Sequence, residues 1–195
     1  MRVIAGSARG TRLVVPPGGA TRPVADRVRE GLFASLGERV VGAVCLDLFA
    51  GSGALGIEAL SRGAAACTFV DRSRAAARAI EENLARTGLG ARARVVVRDV
   101  AGFLRHRPSG MPPVDLAFVD PPWALEPTHV AAIARSLERG WLAGRGVVVL
   151  TRGHKGLLPA VPLDWSAQRR LRYGDSLVIV YQRAGRKVGR EVGWA

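Results

Sequence analysis

Asp120-Pro121-Pro122-Trp123 closes an apolar run over residues 116–119. Consecutive prolines cannot continue a central strand, because neither ring nitrogen donates a ladder hydrogen bond. The chain therefore leaves a sheet here along a rigid path, holding a carboxylate and a large flat ring near the strand end. Three more acids stand in comparable places: Asp47 near the end of one apolar run, Asp71 and Asp99 at the ends of two others. In an open α/β sheet, ligands bind beyond the carboxyl ends of the strands, where strand order reverses. One acid there is ordinary. Four in succession describe a ligand crevice.

The first of these runs leads into Asp-Leu-Phe-Ala-Gly-Ser-Gly, residues 47–53. Gly51 and Gly53, with Ala50 in the same turn, let backbone approach a ligand closely, and Gly56 lets the following helix pack on the sheet. The spacing is G-x-G-x-x-G, and Asp71 lies 20 positions after Gly51, where a ribose-binding acid belongs. A nicotinamide dehydrogenase would carry the same loop. Two features argue against that reading. Asp47 stands four residues before Gly51, placed for an ammonium group rather than a pyrophosphate, and a dehydrogenase has no use for the Asp-Pro-Pro-Trp segment. Taken singly, Asp71 or Asp99 also reads as a helix cap or a solvated charge, and Trp123 as packing. Their joint placement is what those readings leave unexplained.

The elements that must position these residues follow from periodicity. Residues 2–15 predict a β-hairpin about a Ser-Ala-Arg-Gly turn, and residues 16–23 a turn-rich linker. Asp26 is placed to cap a helix whose apolar face is Val28, Leu32, Phe33 and Leu36. Strands over 43–49, 66–71, 93–99, 114–120 and 146–152 follow, with helices over 54–62, 74–87 and 127–138 between them, closed by Gly63, Gly88 and Gly140. Near-continuous apolar strands alternating with helices predict a parallel sheet covered on both faces. Residues 166–174 and 176–183 leave no room for a crossover helix, so they pair as a hairpin. The expected fold is one α/β domain over residues 1–183, a small N-terminal β-hairpin (2–15) on a Rossmann-like core (24–183). Its seven-stranded sheet has five parallel strands and a C-terminal antiparallel hairpin. Residues 184–195 lack periodicity and are expected to form a flexible basic tail.

With 195 residues, 48% of them hydrophobic and 23% charged, the chain has the makings of a sizeable core and an ordinary globular composition. The charge balance is not ordinary. Against 16 acids stand 29 Lys and Arg, a net charge of +13 that selects a polyanionic partner, most commonly nucleic acid. Arg9, Arg12, Arg22, Arg27 and Arg29 cluster about the predicted hairpin and first helix and are the candidate phosphate contacts. Cys45 and Cys67 sit within apolar runs and read as core thiols of a cytoplasmic protein. No apolar run approaches a membrane span, and the N-terminus lacks the apolar core of a signal peptide. His106, His129 and His154 are scattered without ligand spacing, so no metal is expected.

Residues 47–53, the strand-end Asp71 and Asp99, and Asp120-Pro121-Pro122-Trp123 together resemble the motif set of S-adenosylmethionine-dependent methyltransferases that act on exocyclic amines. Residues 2–37 and 169–183 are similar to the outer segments of the 16S ribosomal RNA guanine-N2 methyltransferase family, so the resemblance spans nearly the whole chain. Two departures stand out. The family's usual Thr-Arg-Pro-Thr is here Thr21-Arg22-Pro23-Val24, and its usual Phe or Tyr after the prolines is Trp123, which bears on base fit.

The resemblance implies a class I methyltransferase fold and S-adenosylmethionine as cofactor. It places the cofactor's ammonium at Asp47 beside Ala50, Gly51 and Gly53, its ribose hydroxyls at Asp71, and its adenine amine at Asp99, with Arg72 and Val100 adjoining. Asp120 and the carbonyl of Pro121 would grip the target amine, with Pro122 in the same rigid turn and Trp123 stacked on an extruded base. The implied partner is 16S ribosomal RNA within a small-subunit particle. Donor patterns add an independent lean. Guanine's pairing edge presents adjacent N1–H and N2–H₂ donors, which suit a carboxylate; adenine's mixed edge suits an amide better. The rival readings are an adenine-N6 DNA methyltransferase and a non-catalytic RNA-binding assembly factor.

Overall fold

A computed structural model of the chain describes residues 1–17, 26–154 and 156–184. After α1 (Asp26–Leu36), strands and helices alternate: β1 (Val44–Leu48), α2 (Ala54–Ser61), β2 (Ala66–Asp71), α3 (Arg74–Thr87), β3 (Ala93–Val97), α4 (Val100–Leu104), β4 (Val114–Val119), α5 (Pro127–Gly140) and β5 (Leu142–Gly153). Two further strands, β6 (Trp165–Tyr173) and β7 (Ser176–Arg183), end the fold. The sheet order is β3-β2-β1-β4-β5-β7-β6. β1 to β5 pair in parallel, whereas β7 runs antiparallel to both β5 and β6. This is the expected architecture. Strand order reverses between β1 and β4, which places the crevice beyond their carboxyl ends.

The central strands read as apolar runs because both of their faces are covered. α1, α2 and α3 pack on one face around Phe33, Ile57, Phe69 and Phe118. α4 and α5 pack on the other, around Leu48, Phe103, Ile133 and Leu137. α3 has the expected bounds, with Ser73 capping its start and Gly88 in the left-handed conformation closing its end. α4 went unforeseen because five residues are too few to show a period. β5 begins four residues earlier than expected, at Leu142; its Gly144 and Gly146 read as loop but lie in a strand whose register with β4 shifts between Val114 and Leu116. Cys45 and Cys67 are register partners across β1 and β2, buried and unbridged, and burial pushes both thiols up. Among the described residues no helix is long and apolar enough to cross a membrane.

The N-terminal segment folds back as an antiparallel pair, but only Arg2 and Arg12 form a bridge. The ladder stops there because helix side chains take the backbone groups that would extend it. Glu58 of α2, fully buried, accepts the Ile4 and Ala5 N–H groups at 2.7 and 3.1 Å. Ser61 accepts from Ala8 N–H and donates to the Ala5 carbonyl, and Asn83 of α3 accepts from Val14 N–H. Gly6 lies so close to α2 that a Cβ would fall 1.9 Å from the Ser61 carbonyl oxygen. The extension is therefore riveted to the core. Most of the predicted linker and nearly all of the predicted tail lie outside the described residues.

Candidate active site

The floor of the crevice is the turn between β1 and α2. Gly51 and Gly53 adopt positive φ (56° and 75°), and Gly53 N–H closes the turn on the Ala50 carbonyl at 2.7 Å. Gly56 serves packing instead: a Cβ there would lie 2.3 Å from Phe69 Cε1 and 2.7 Å from Cys67 Sγ, so only glycine lets α2 seat on β2. Phe49 also has positive φ, 61°, a conformation that costs a bulky residue about 1–3 kcal/mol and concentrates at functional turns. Nothing in the sequence signals that strain.

Around this turn the four acids converge on one cleft of about 460 Å³, within the roughly 300–1,000 Å³ usual for small-molecule sites. Asp47 is buried, and its Oδ2 accepts the Gly56 N–H at 2.9 Å. Burial raises its carboxyl well above the usual range; the Gly56 bond opposes this, while the Asp120 and Asp71 carboxylates push the same way. No cation among the described residues pairs with it. An ammonium group arriving from a ligand would restore the charge balance.

Asp71 is half-buried, with Oδ2 accepting Gly51 N–H at 3.0 Å and Oδ1 accepting Ser73 N–H at 2.8 Å. Each oxygen keeps one open acceptor site, which suits a pair of hydroxyls. Asp99 caps α4, its Oδ2 accepting Gly102 N–H at 2.8 Å, and stays exposed on the cleft wall. It is a helix cap and a cleft residue at once.

Asp120 follows β4 on the opposite side of the switch point, its N–H bonded to the Leu48 carbonyl at 3.3 Å. Burial raises its carboxyl to about 7, with the Thr151 hydroxyl bond pulling the other way. Pro121 is buried, and the Leu125 N–H closes a turn on the Pro122 carbonyl at 2.8 Å. Arg152 Nη1 donates to the Leu125 carbonyl at 3.0 Å and pins the far end of that turn. The Trp123 indole rests on Gly153, where a Cβ would sit 3.4 Å from Cδ2 and Cε3. One part of the ring is supported by β5 while the side chain stays 48% exposed at the rim. A ring so supported and exposed could stack on a planar ligand.

The family described as "Conserved hypothetical protein 95" matches residues 1–182, essentially all of the chain outside its last residues. The chain belongs to this family. Ribosomal RNA small subunit methyltransferase D of Escherichia coli K12 is 41% identical over 186 residues, covering 94% of this chain and 90% of that protein. The protein of the same name from Haemophilus influenzae is 34% identical over 184 residues, covering 93% of both chains. The solved structure titled "Putative methyltransferase yhhF from Escherichia coli" superposes with a TM-score of 0.83 at 40% identity, covering 95% of this chain and 98% of that one. The fold is the class I methyltransferase fold.

In this family member, the cleft is lined by Asp47, Ala50, Gly51, Asp71, Arg72, Asp99, Val100, Asp120 and Pro122 from the expected set. Gly53 shapes the turn from behind, and Pro121 and Trp123 flank the opening without lining it. Ser52, within the glycine turn, lines it too, and Val15, Pro16 and His129 line it unforeseen. The last residue of the predicted hairpin and the first of the linker carried no signal, nor did a lone histidine in the first turn of α5.

The basic residues divide. Arg9, Arg12 and Arg27 are exposed, and Arg22 lies outside the described residues. Arg29 does not belong with them. It is fully buried, donating to the Arg2 carbonyl at 2.5 Å and to Asp26 Oδ1 at 2.7 Å, so it ties the extension to α1 and presents nothing to phosphate.

Proposed function

We propose that this protein transfers a methyl group from S-adenosylmethionine to the exocyclic N2 amine of a guanine in 16S ribosomal RNA. The observation that carries the reading is Asp120. It is a carboxylate held rigidly beside a buried proline and an exposed, β5-supported tryptophan, on the same cleft as three further acids. The names of the 41% and 34% identical relatives support ribosomal RNA as the substrate class, and such a substrate puts the protein in the cytoplasm. S-adenosylmethionine supplies an electrophilic methyl group on a sulfonium.

The chain's residues do the rest. Asp47 holds the ammonium, Asp71 the ribose hydroxyls and Asp99 the adenine amine, with Arg72 and Val100 on the same wall. Asp120 and the Pro121 carbonyl accept the two hydrogens of the target amine, which aims the nitrogen lone pair for in-line displacement. The amine becomes acidic only as the new bond forms, and a carboxylate with a range near 7 is basic enough to take that proton. Exposed Arg9, Arg12 and Arg27 grip phosphates, which position the RNA without reading its sequence. The experiment is transfer of a labelled methyl group to three acceptors: small-subunit particles, naked 16S RNA and duplex DNA. Label in either RNA acceptor supports the reading. Label in DNA alone, or in none, overturns it.

Stacking on Trp123 is worth about 1–3 kcal/mol, enough to offset much of the cost of unstacking a nucleotide. Trp123→Phe keeps a ring face over Gly153 and should retain most activity, whereas Trp123→Ala should lower kcat/KM on RNA roughly ten- to a hundredfold. Equal losses would show that the ring serves packing alone.

Asp120 also sets a pH dependence. Its carboxyl is raised in the folded protein, so this group favours folding fully below the ordinary carboxylate value of 3.8, and the advantage is lost progressively as pH rises from there to about 7. Asp120→Asn should therefore raise the melting temperature above pH 7 and leave it nearly unchanged in acid. Wild-type turnover should run the other way, climbing through about pH 7 as the acceptor form appears. A melting difference that does not vary with pH would place Asp120 in a solvated setting and remove this account of its chemistry.

A further inference from the structure

Asn83 is fully buried on α3, and every polar atom of its amide is engaged. Its Oδ1 accepts the Val14 N–H at 2.7 Å, and its Nδ2 donates to the Val14 carbonyl and to the Ser52 carbonyl, each at 2.9 Å. The first two bonds are those a neighbouring strand would make, so a helix side chain stands in as β-partner to the strap that follows the hairpin. The third reaches the turn that carries Gly51 and Gly53. Both segments continue directly into the cleft, with Val15 and Pro16 on one wall and Ser52 on another.

We propose that Asn83 is a positioning residue of the cofactor site, locking the N-terminal strap to the glycine turn so that the extension forms a wall of the cleft. This rests on the cofactor reading above. Position 83 needs an acceptor and two donors at one reach, and only a side-chain amide supplies them. An aspartate of the same size would face two carbonyl oxygens with no hydrogen to offer. The other rivets of the extension, Glu58 and Ser61, bond Ile4, Ala5 and Ala8 and make no bond to the glycine turn. That difference separates a positioning role from mere attachment.

The test uses the full chain and S-adenosylhomocysteine, with binding followed by calorimetry and folding by thermal melting. Asn83→Ala and Asn83→Asp should weaken binding about tenfold or more, since both leave the Val14 and Ser52 carbonyls without their donor. Ser61→Ala should lower the melting temperature while leaving affinity unchanged. Hydrogen exchange on the wild type gives a readout that survives if the Asn83 variants do not fold: ligand should slow exchange at the Val14 amide, which among the described residues bonds Asn83 alone. Unchanged affinity in folded Asn83 variants, or a Val14 amide indifferent to ligand, overturns the proposal. A wild-type chain that binds no S-adenosylhomocysteine overturns the cofactor reading and this inference with it.

Discussion

Asp120→Ala should stop methyl transfer while cofactor affinity stays nearly unchanged. Asp120 lies across the switch point from Asp71 and Asp99, on the β4 side of the cleft, so its loss leaves the residues proposed for ribose and adenine in place. Removing a single group that stabilises a transition state typically costs two to three orders of magnitude in turnover, about 3–4 kcal/mol. Here the loss should be at least that large, because in the proposed mechanism the same carboxylate orients the amine and takes its proton. The variant removes a half-buried acid without a cationic partner among the described residues, so it should fold at least as well as the wild type. Single-turnover transfer to RNA, with calorimetry of S-adenosylhomocysteine beside it, gives both numbers. Turnover near wild type would remove Asp120 as the amine acceptor.

Asp71→Ala should do the reverse and act chiefly on the cofactor. Its two oxygens hold Gly51 N–H and Ser73 N–H and keep one open site each, so the substitution removes the charged partner proposed for two ligand hydroxyls and loosens the glycine turn. Hydrogen bonds to charged groups contribute about 1.5–3 kcal/mol each, so losing two predicts a hundredfold or larger drop in affinity. At saturating cofactor much of the turnover should return. Calorimetry that finds wild-type affinity would contradict the ribose assignment.

Much of this was legible in the sequence because the relevant residues are constrained by backbone geometry. Asp71 ends a strand and follows Gly51 at ribose-binding spacing; Gly56 has no room for a Cβ against Phe69; two prolines after Asp120 can only end a strand. What escaped depends on tertiary contact. Phe49 looks like a core aromatic, and its left-handed backbone follows from the turn it is forced into. Val15 and Pro16 become cleft residues through tertiary contacts, among them the bonds of Asn83, remote in sequence, to Val14 and to the glycine turn. Arg29 was a different failure. Its charge suggested solvent, yet it precedes Phe33 and Leu36 by four and seven residues, on the buried stripe of α1. Helical phase carried the right answer there, and residue type carried the wrong one.

The central claim is the identity of the methylated atom. Small-subunit RNA treated with the purified protein and labelled S-adenosylmethionine would be digested to nucleosides and separated against standards. The label should co-migrate with N2-methylguanosine and be lost with Asp120→Ala. Label in N6-methyladenosine, or in any nucleoside not methylated on a guanine exocyclic amine, would contradict it.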